Sequence, residues 1–261
     1  MALIFYVGAE GFSIAHLRKD RPALGTVASA LLFLGFLLHF GALSVGARAL
    51  HTVPYHDLPS SLSLFAWMLA GSYGILLLRH REGSTGPFLI PLAILFLVAS
   101  TIFKGNAGPL DPRLLGPVFA MHVTMAILGY AALTLAFILA LLYLKQVRQL
   151  HRRKLGVLFL RLPALDVLSH LHHTSVAIGI SALTLASCLG LVWAKKNWGT
   201  YWDPKVLFTF LVIGIYLLTV FPSASRLRGK KLMFVSIAGF ALLMFSYSIV
   251  NLFITQEHVF R

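Results

Sequence analysis

"GPVFAMHVTMAILGYAALTLAFILALLYL", residues 116–144, is a run of 29 residues without one Asp, Glu, Lys or Arg. As a helix it extends about 43 Å, more than the roughly 30 Å of hydrocarbon in a bilayer. It stops at "KQVRQLHRRK" (145–154), a basic stretch suited to water or lipid headgroups. Comparable apolar runs recur on both sides. The chain has 261 residues, 58% of them hydrophobic, and a mean hydropathy of +0.84. A water-soluble domain of that balance would lack the polar surface to cover itself. In hydrocarbon, every backbone N–H and C=O must be paired within its own segment, which makes the spans helical. The sequence therefore predicts an all-α polytopic integral membrane helix bundle, a single membrane domain over 1–261.

The apolar runs number eight: 2–16, 27–47, 62–79, 87–103, 116–144, 172–194, 206–222 and 232–254. About eight transmembrane helices are expected on this count. The first is weak, because it is short and carries Glu10; it also lacks the basic n-region of a signal peptide. Basic residues sort by loop. One set (Arg18, Lys19, Arg21, Arg79, Arg81, Lys145, Arg148, Arg152, Arg153, Lys154, Arg161, Arg226, Arg228, Lys230, Lys231) has fifteen members. The opposite set (Arg48, Lys104, Arg113, Lys195, Lys196, Lys205, Arg261) has seven. The positive-inside rule assigns the larger set to the cytoplasm of a cell inner (plasma) membrane protein and both termini to the outer face. Topology thus accounts for the net charge of +14, and no nucleic-acid partner is implied. Cys188 lies within an apolar run and reads as a small buried core residue; one cysteine cannot form a thiol couple. Residues 145–171 read as a basic cytoplasmic loop ending in a short interfacial helix, with Leu162, Leu165, Leu168 and Leu171 at helical spacing.

The stretch "WGTYWDPK" (198–205) sits between two apolar runs on the outer side. Four histidines fall on that side: His51, His56, His122 and His258. His122 opens the fifth run and His258 follows the eighth, so both are expected near one interface. Two neutral imidazoles can hold a haem from its two faces. Aromatic rings can pack on the porphyrin and lysines can meet its propionates. Met125 and Gly129 follow His122 at helical spacing, and a small residue there admits a flat ring or another helix. Interface anchoring by histidine and tryptophan is the competing reading of the same residues. His39, inside the second run, is either a functional intramembrane histidine or an interhelical hydrogen-bonding group.

The tryptophan-rich stretch resembles the signature of the haem-handling membrane proteins of cytochrome c assembly, the family of CcsA (ResC), CcmC and the HemX-like proteins. Trp198, Gly199, Tyr201, Trp202, Asp203, Pro204 and Lys205 match a fuller pattern, W-G-x-Y-W-x-W-D-P-K, with two residues missing before the aspartate. "MHVTMAILGYAALTLAF", "LPALDVLSHLHHTSVAIGISALTLASCLGLVWA" and "GFALLMFSYSIVNLFITQEHVF" resemble three further family segments in the same order. The resemblance covers roughly 50–261, the haem-handling core, with its tryptophan-rich outer loop at 195–205. It implies haem b held by His122 and His258 as axial iron ligands. Trp198, Tyr201 and Trp202 form the apolar wall, Lys205 meets the propionates and Asp203 orients the loop. It also implies a cytochrome c biogenesis protein that presents haem to an apocytochrome c bearing C-x-x-C-H. A ResB/CcsB-type membrane subunit and a thioredoxin-like thiol reductase would be the other partners.

One departure stands out. Where the family pattern reads I-Y-L-H-T, this chain reads "IYLLT", with Leu218 in the place of a membrane histidine. His39 is a candidate substitute, and His56 loosely matches an outer family stretch. The alternative function is a HemX-like membrane regulator of haem synthesis acting on glutamyl-tRNA reductase. The resemblance allows for a component of a cytochrome c synthase complex, but the sequence contains no self-contained catalytic cluster. A transporter unrelated to haem has thin support, since Glu10 and His39 are isolated polar groups.

Overall fold

Prolines and left-handed caps punctuate the chain into helices. A computed structural model describes residues 1–50, 53–55, 57–105, 112–153, 156, 160–199, 204–221 and 227–246, with backbone alone at 49, 50, 112, 113, 198, 204 and 205. Among these residues are eight α-helices: α1 (Ala2–Lys19), α2 (Pro22–Leu50), α3 (Leu58–His80), α4 (Gly86–Ile102), α5 (Pro117–His151), α6 (Leu165–Trp198), α7 (Pro204–Val220) and α8 (Lys230–Phe245). Five of them carry proline in the first two positions, where its missing N–H breaks no helical bond. Three end on left-handed residues: Asp20 at φ 55°, Arg81 at φ 53° and Gly199 at φ 74°. Each cap N–H bonds back to a carbonyl four residues earlier.

The helices run alternately up and down. Ser63 of α3 reaches His39 in the second half of α2, and Phe119 of α5 meets Tyr55 just before α3. Phe208 of α7 meets Phe245 at the end of α8. The N-terminal ends of α1, α3, α5 and α7 therefore share one end of the bundle. At the other end gather thirteen of the fifteen basic residues grouped by loop, the remaining two, Lys154 and Arg226, lying outside the described residues. There Arg161 pairs with Asp20 at 2.6 Å and ties the approach to α6 to the first hairpin.

Two cores share α5. Its Ala131, Leu135 and Leu139 pack with α1, α3 and α4, while its Leu133 and Ala136 pack with α6, α7 and α8. A helix apolar all round has to be buried, and α5 occupies that central place. The α5–α6 seam is close because both helices thin at the crossing. A Cβ at Gly129 would sit 3.1 Å from the Gly179 carbonyl, and one at Gly179 would sit 2.7 Å from Leu133.

The expected eight spans are not found. Among the described residues only four helices are long and apolar enough to cross a membrane: Pro22–Arg48, Leu58–His80, Pro117–His151 and Leu165–Asn197. The other four fail for separate reasons. α4 and α7 have 17 residues each, about 26 Å, short of the hydrocarbon thickness. α8 opens on Lys230 and Lys231 and is described over 16 residues, the rest of the expected run from 247 to 254 lying outside the described residues. α1 carries Glu10 and ends in His16, Arg18 and Lys19. The chain is a multi-pass membrane protein, and its exterior agrees, with Val45, Leu78 and Leu207 each about 70% exposed.

Three local expectations also change. Leu162, Leu168 and Leu171 are buried in the core, and the expected interfacial helix is the first turns of α6. α5 runs on to His151, beyond the end of its apolar run. Cys188 is exposed on the surface of α6 instead of buried.

His39 resolves as an interhelical hydrogen-bonding group. It is 2% exposed, its Nδ1 meets the Tyr6 hydroxyl at 3.3 Å and its Nε2 meets the Ser63 hydroxyl at 3.0 Å. Both nitrogens are thus engaged, and α1, α2 and α3 are joined at one point. His39→Ala leaves two hydroxyls unpaired, and we expect it to cost about 1–2 kcal/mol. Thermal melting in detergent measures this; an unchanged melting temperature would mean that the three-helix junction is dispensable.

Candidate functional site

His122 lies in the second turn of α5, on the face that meets α6. Its Nδ1 is 2.7 Å from the Ala186 carbonyl oxygen. A carbonyl can only accept, so Nδ1 carries the proton and donates it. Nε2 is then the unprotonated nitrogen, the form in which imidazole binds iron. Gly190, one turn beyond Ala186, makes room for the ring. A Cβ there would sit 2.6 Å from His122 Cε1 and 2.7 Å from Nδ1.

Aromatic rings extend the site outward. Phe119, one turn before His122, lies 6.0 Å from the imidazole, centroid to centroid. It packs on Trp193 of α6 at 4.8 Å and edge-on to Tyr55 at 5.6 Å. The Tyr55 hydroxyl donates to the Leu114 carbonyl at 2.5 Å and anchors the turn before α5. On α6, Ala186, Gly190 and Trp193 are spaced i, i+4 and i+7 and share one face. That face was not identified from sequence. Its signal, a carbonyl, a glycine and a tryptophan in register, has meaning only once α5 is known to lie opposite.

The tryptophan-rich stretch straddles the junction of α6 and α7. Gly199 takes the left-handed conformation that stops α6, and glycine adopts it without a Cβ penalty. Pro204 opens α7, as its fixed φ suits. The stretch begins eight residues beyond Gly190, about 12 Å along the axis of α6. Tyr201, Trp202, Asp203 and His258 lie outside the described residues, as do His51 and His56, and so do the side chains of Trp198 and Lys205. Phe245 of α8 lies at the His122 end of the bundle, thirteen residues before His258 in the sequence. Lys195 and Lys196 occupy the last turn of α6 at this end and are exposed.

Other sequence candidates have other places. Gly129 faces α6, so its small size serves helix packing. Leu218 is half exposed on α7. The histidines at the far end join helices: His80 to Thr174, His172 to Ser236 and His173 to the Val220 carbonyl.

Residues 55–258 match the model of a family described as cytochrome C assembly protein. The chain belongs to that family. Its general field is cytochrome c biogenesis. Among curated relatives, the chain is 26% identical to Protein HemX of Bacillus subtilis (strain 168) over 264 residues, covering 99% of this chain and 95% of that protein. It is 30% identical over 211 residues to the cytochrome c biogenesis protein CcsA of Chlamydomonas reinhardtii, covering 76% of this chain and 58% of the relative. The CcsA protein of Chlorella vulgaris is 31% identical over 245 residues, with 76% of this chain and 74% of the relative covered. The match begins at Tyr55, so the aromatic group around His122 falls within the family segment while α1 and α2 precede it.

Gly190 and His122 compete for the same space. We expect Gly190→Ala to cost about 1–3 kcal/mol through overpacking. In a His122→Ala background the same substitution should cost much less, giving a coupling energy in a double-mutant cycle read by thermal unfolding. Equal costs in both backgrounds would contradict the placement of the ring.

Proposed function

We propose that this chain binds haem b at the outer membrane face and presents it for attachment to an apocytochrome c bearing C-x-x-C-H. The observation that carries the reading is the His122 imidazole. Its Nδ1–H is fixed on the Ala186 carbonyl, and its Nε2 is left as the ligating nitrogen. The donor chemistry therefore fits an iron porphyrin. His122 and His258 would hold the haem iron. Trp198, Tyr201 and Trp202 would wall the porphyrin plane, with Phe119 and Trp193 as apolar support behind His122. Lys205, with Lys195 or Lys196, would meet the propionates, and Asp203 would orient the loop.

Bound haem supplies a redox-active iron and the vinyl groups to which cysteine thiols attach. The chain's own residues bind and orient it, while the thiols belong to the apocytochrome. A ResB/CcsB-type membrane subunit and a thioredoxin-like thiol reductase would complete such a system. The charge asymmetry supports an orientation with the His122 end outside the cell inner membrane.

A second reading is a HemX-like membrane regulator of haem synthesis. The near full-length match to HemX and the loss of the membrane histidine at Leu218 favour it. Deleting the gene separates the two: assembly predicts loss of haem-stained c-type cytochromes, and regulation predicts a changed level of glutamyl-tRNA reductase.

The first test is the absorption spectrum of the detergent-purified protein, oxidised and reduced. We expect a bis-histidine haem spectrum that His122→Ala and His258→Ala each weaken at least about tenfold, as losing one of two metal ligands should. A colourless protein that also fails to take up added haem would overturn the haem reading.

A further inference from the structure

The end of the bundle opposite His122 holds a feature that haem handling does not use. The last turns of α5 and the first turns of α8 enclose an open cleft of about 790 Å³. From α5 and its C-cap come Lys145, Arg148 and Arg152, spaced i, i+3 and i+7 on one face. Lys230 comes from α8, and no carboxylate lines the cleft among the described residues. Leu144 and Phe234 form its apolar lining, and Phe234 is 59% exposed. The lips are tied together. His151 Nδ1–H donates to the Val147 carbonyl at 3.0 Å, and the Lys230 ammonium lies 3.4 Å from Nε2 of the same ring.

We propose that this cleft is a binding site for one anionic phospholipid, with the phosphate on the cations and an acyl chain along Leu144 and Phe234. Three physical points carry it. First, four cations on two facing helices repel one another unless an anion lies between them. Topology needs only basic residues in a loop; it does not need them to converge from two helices on one concavity. Second, the depth is right. Lys145 is 23 residues from His122 along α5, about 35 Å, and Arg152 is about 45 Å away. With His122 at one edge of the hydrocarbon, these residues lie at headgroup level in the opposite leaflet. Basic pockets between helices at that level suit anionic headgroups. Third, a free phosphate would have no use for an exposed phenylalanine beside the cations, whereas a lipid chain would cover it.

Native mass spectrometry of the full chain, released from detergent containing equal amounts of phosphatidylglycerol and phosphatidylcholine, tests this. The wild type should retain one phosphatidylglycerol with about tenfold preference over phosphatidylcholine. Arg148→Gln/Lys230→Gln should abolish the preference. Arg228→Gln/Lys231→Gln removes the same charge from residues outside the cleft and should preserve it. Should the first pair not fold, as judged by helicity and melting temperature, Arg152→Gln alone should still weaken retention severalfold. Equal retention of the two lipids, equal loss in the cleft and control variants, or displacement of the lipid by excess inorganic phosphate would each overturn the proposal. The result does not depend on haem, so it stands or falls apart from the proposed function.

Discussion

The close crossing of α5 and α6 is the contact on which the rest depends. Gly129 and Gly179 bring the two backbones together, each leaving room that the opposite helix fills, with Leu183 against Gly129 and Leu133 against Gly179. In lipid, apolar burial gives helices no reason to associate, so close van der Waals packing at small residues carries the seam. Once formed, the seam sets the register for more than six turns. Gln146 donates to the Pro163 carbonyl at one end, and His122 donates to the Ala186 carbonyl at the other. α5 then has both flanks covered, by the cluster it shares with α1, α3 and α4 and by the one it shares with α7 and α8.

The register also makes the site. His122 would be an ordinary interfacial histidine if α6 were one residue out of phase. In this register its ring falls on the only kind of residue that admits it, a glycine, and beside a carbonyl that selects its tautomer. The same α6 then runs two turns further and stops at Gly199, where the tryptophan-rich stretch begins. One helix therefore supplies the orienting carbonyl, the ring's space and the start of the tryptophan-rich stretch. The proposed site and the packing share the same residues, so a mutation that loosens the seam is expected to disturb both.

Much of this was legible in the sequence, for reasons that can be named. Charge sorting worked because an alternating bundle sends loops to two ends, and the structure gathers the basic set at one of them. Gly199 and Pro204 entered the sequence reading as signature positions, and the structure shows Gly199 stopping α6 and Pro204 opening α7. The span count was not readable. Apolar length in a sequence ignores where a helix ends, and α4 and α7 stop short of a bilayer's thickness. Cys188 was misjudged because, in a membrane, an apolar position can face lipid as well as a core. Gly190 was invisible, since its purpose lies in a ring 68 residues away. Of the two readings the sequence left open for His39, the interhelical hydrogen-bonding group is the one observed, paired on both nitrogens.

The central claim is that His122 ligates iron through Nε2 because α6 holds Nδ1. The most direct measurement is the ferric electron paramagnetic resonance spectrum of haem-loaded protein, wild type beside His122→Ala, with and without imidazole in the buffer. The account predicts a low-spin bis-nitrogen signal in the wild type, its loss in His122→Ala, and its recovery when free imidazole fills the space the ring has left. A wild-type signal that persists unchanged in His122→Ala would contradict it.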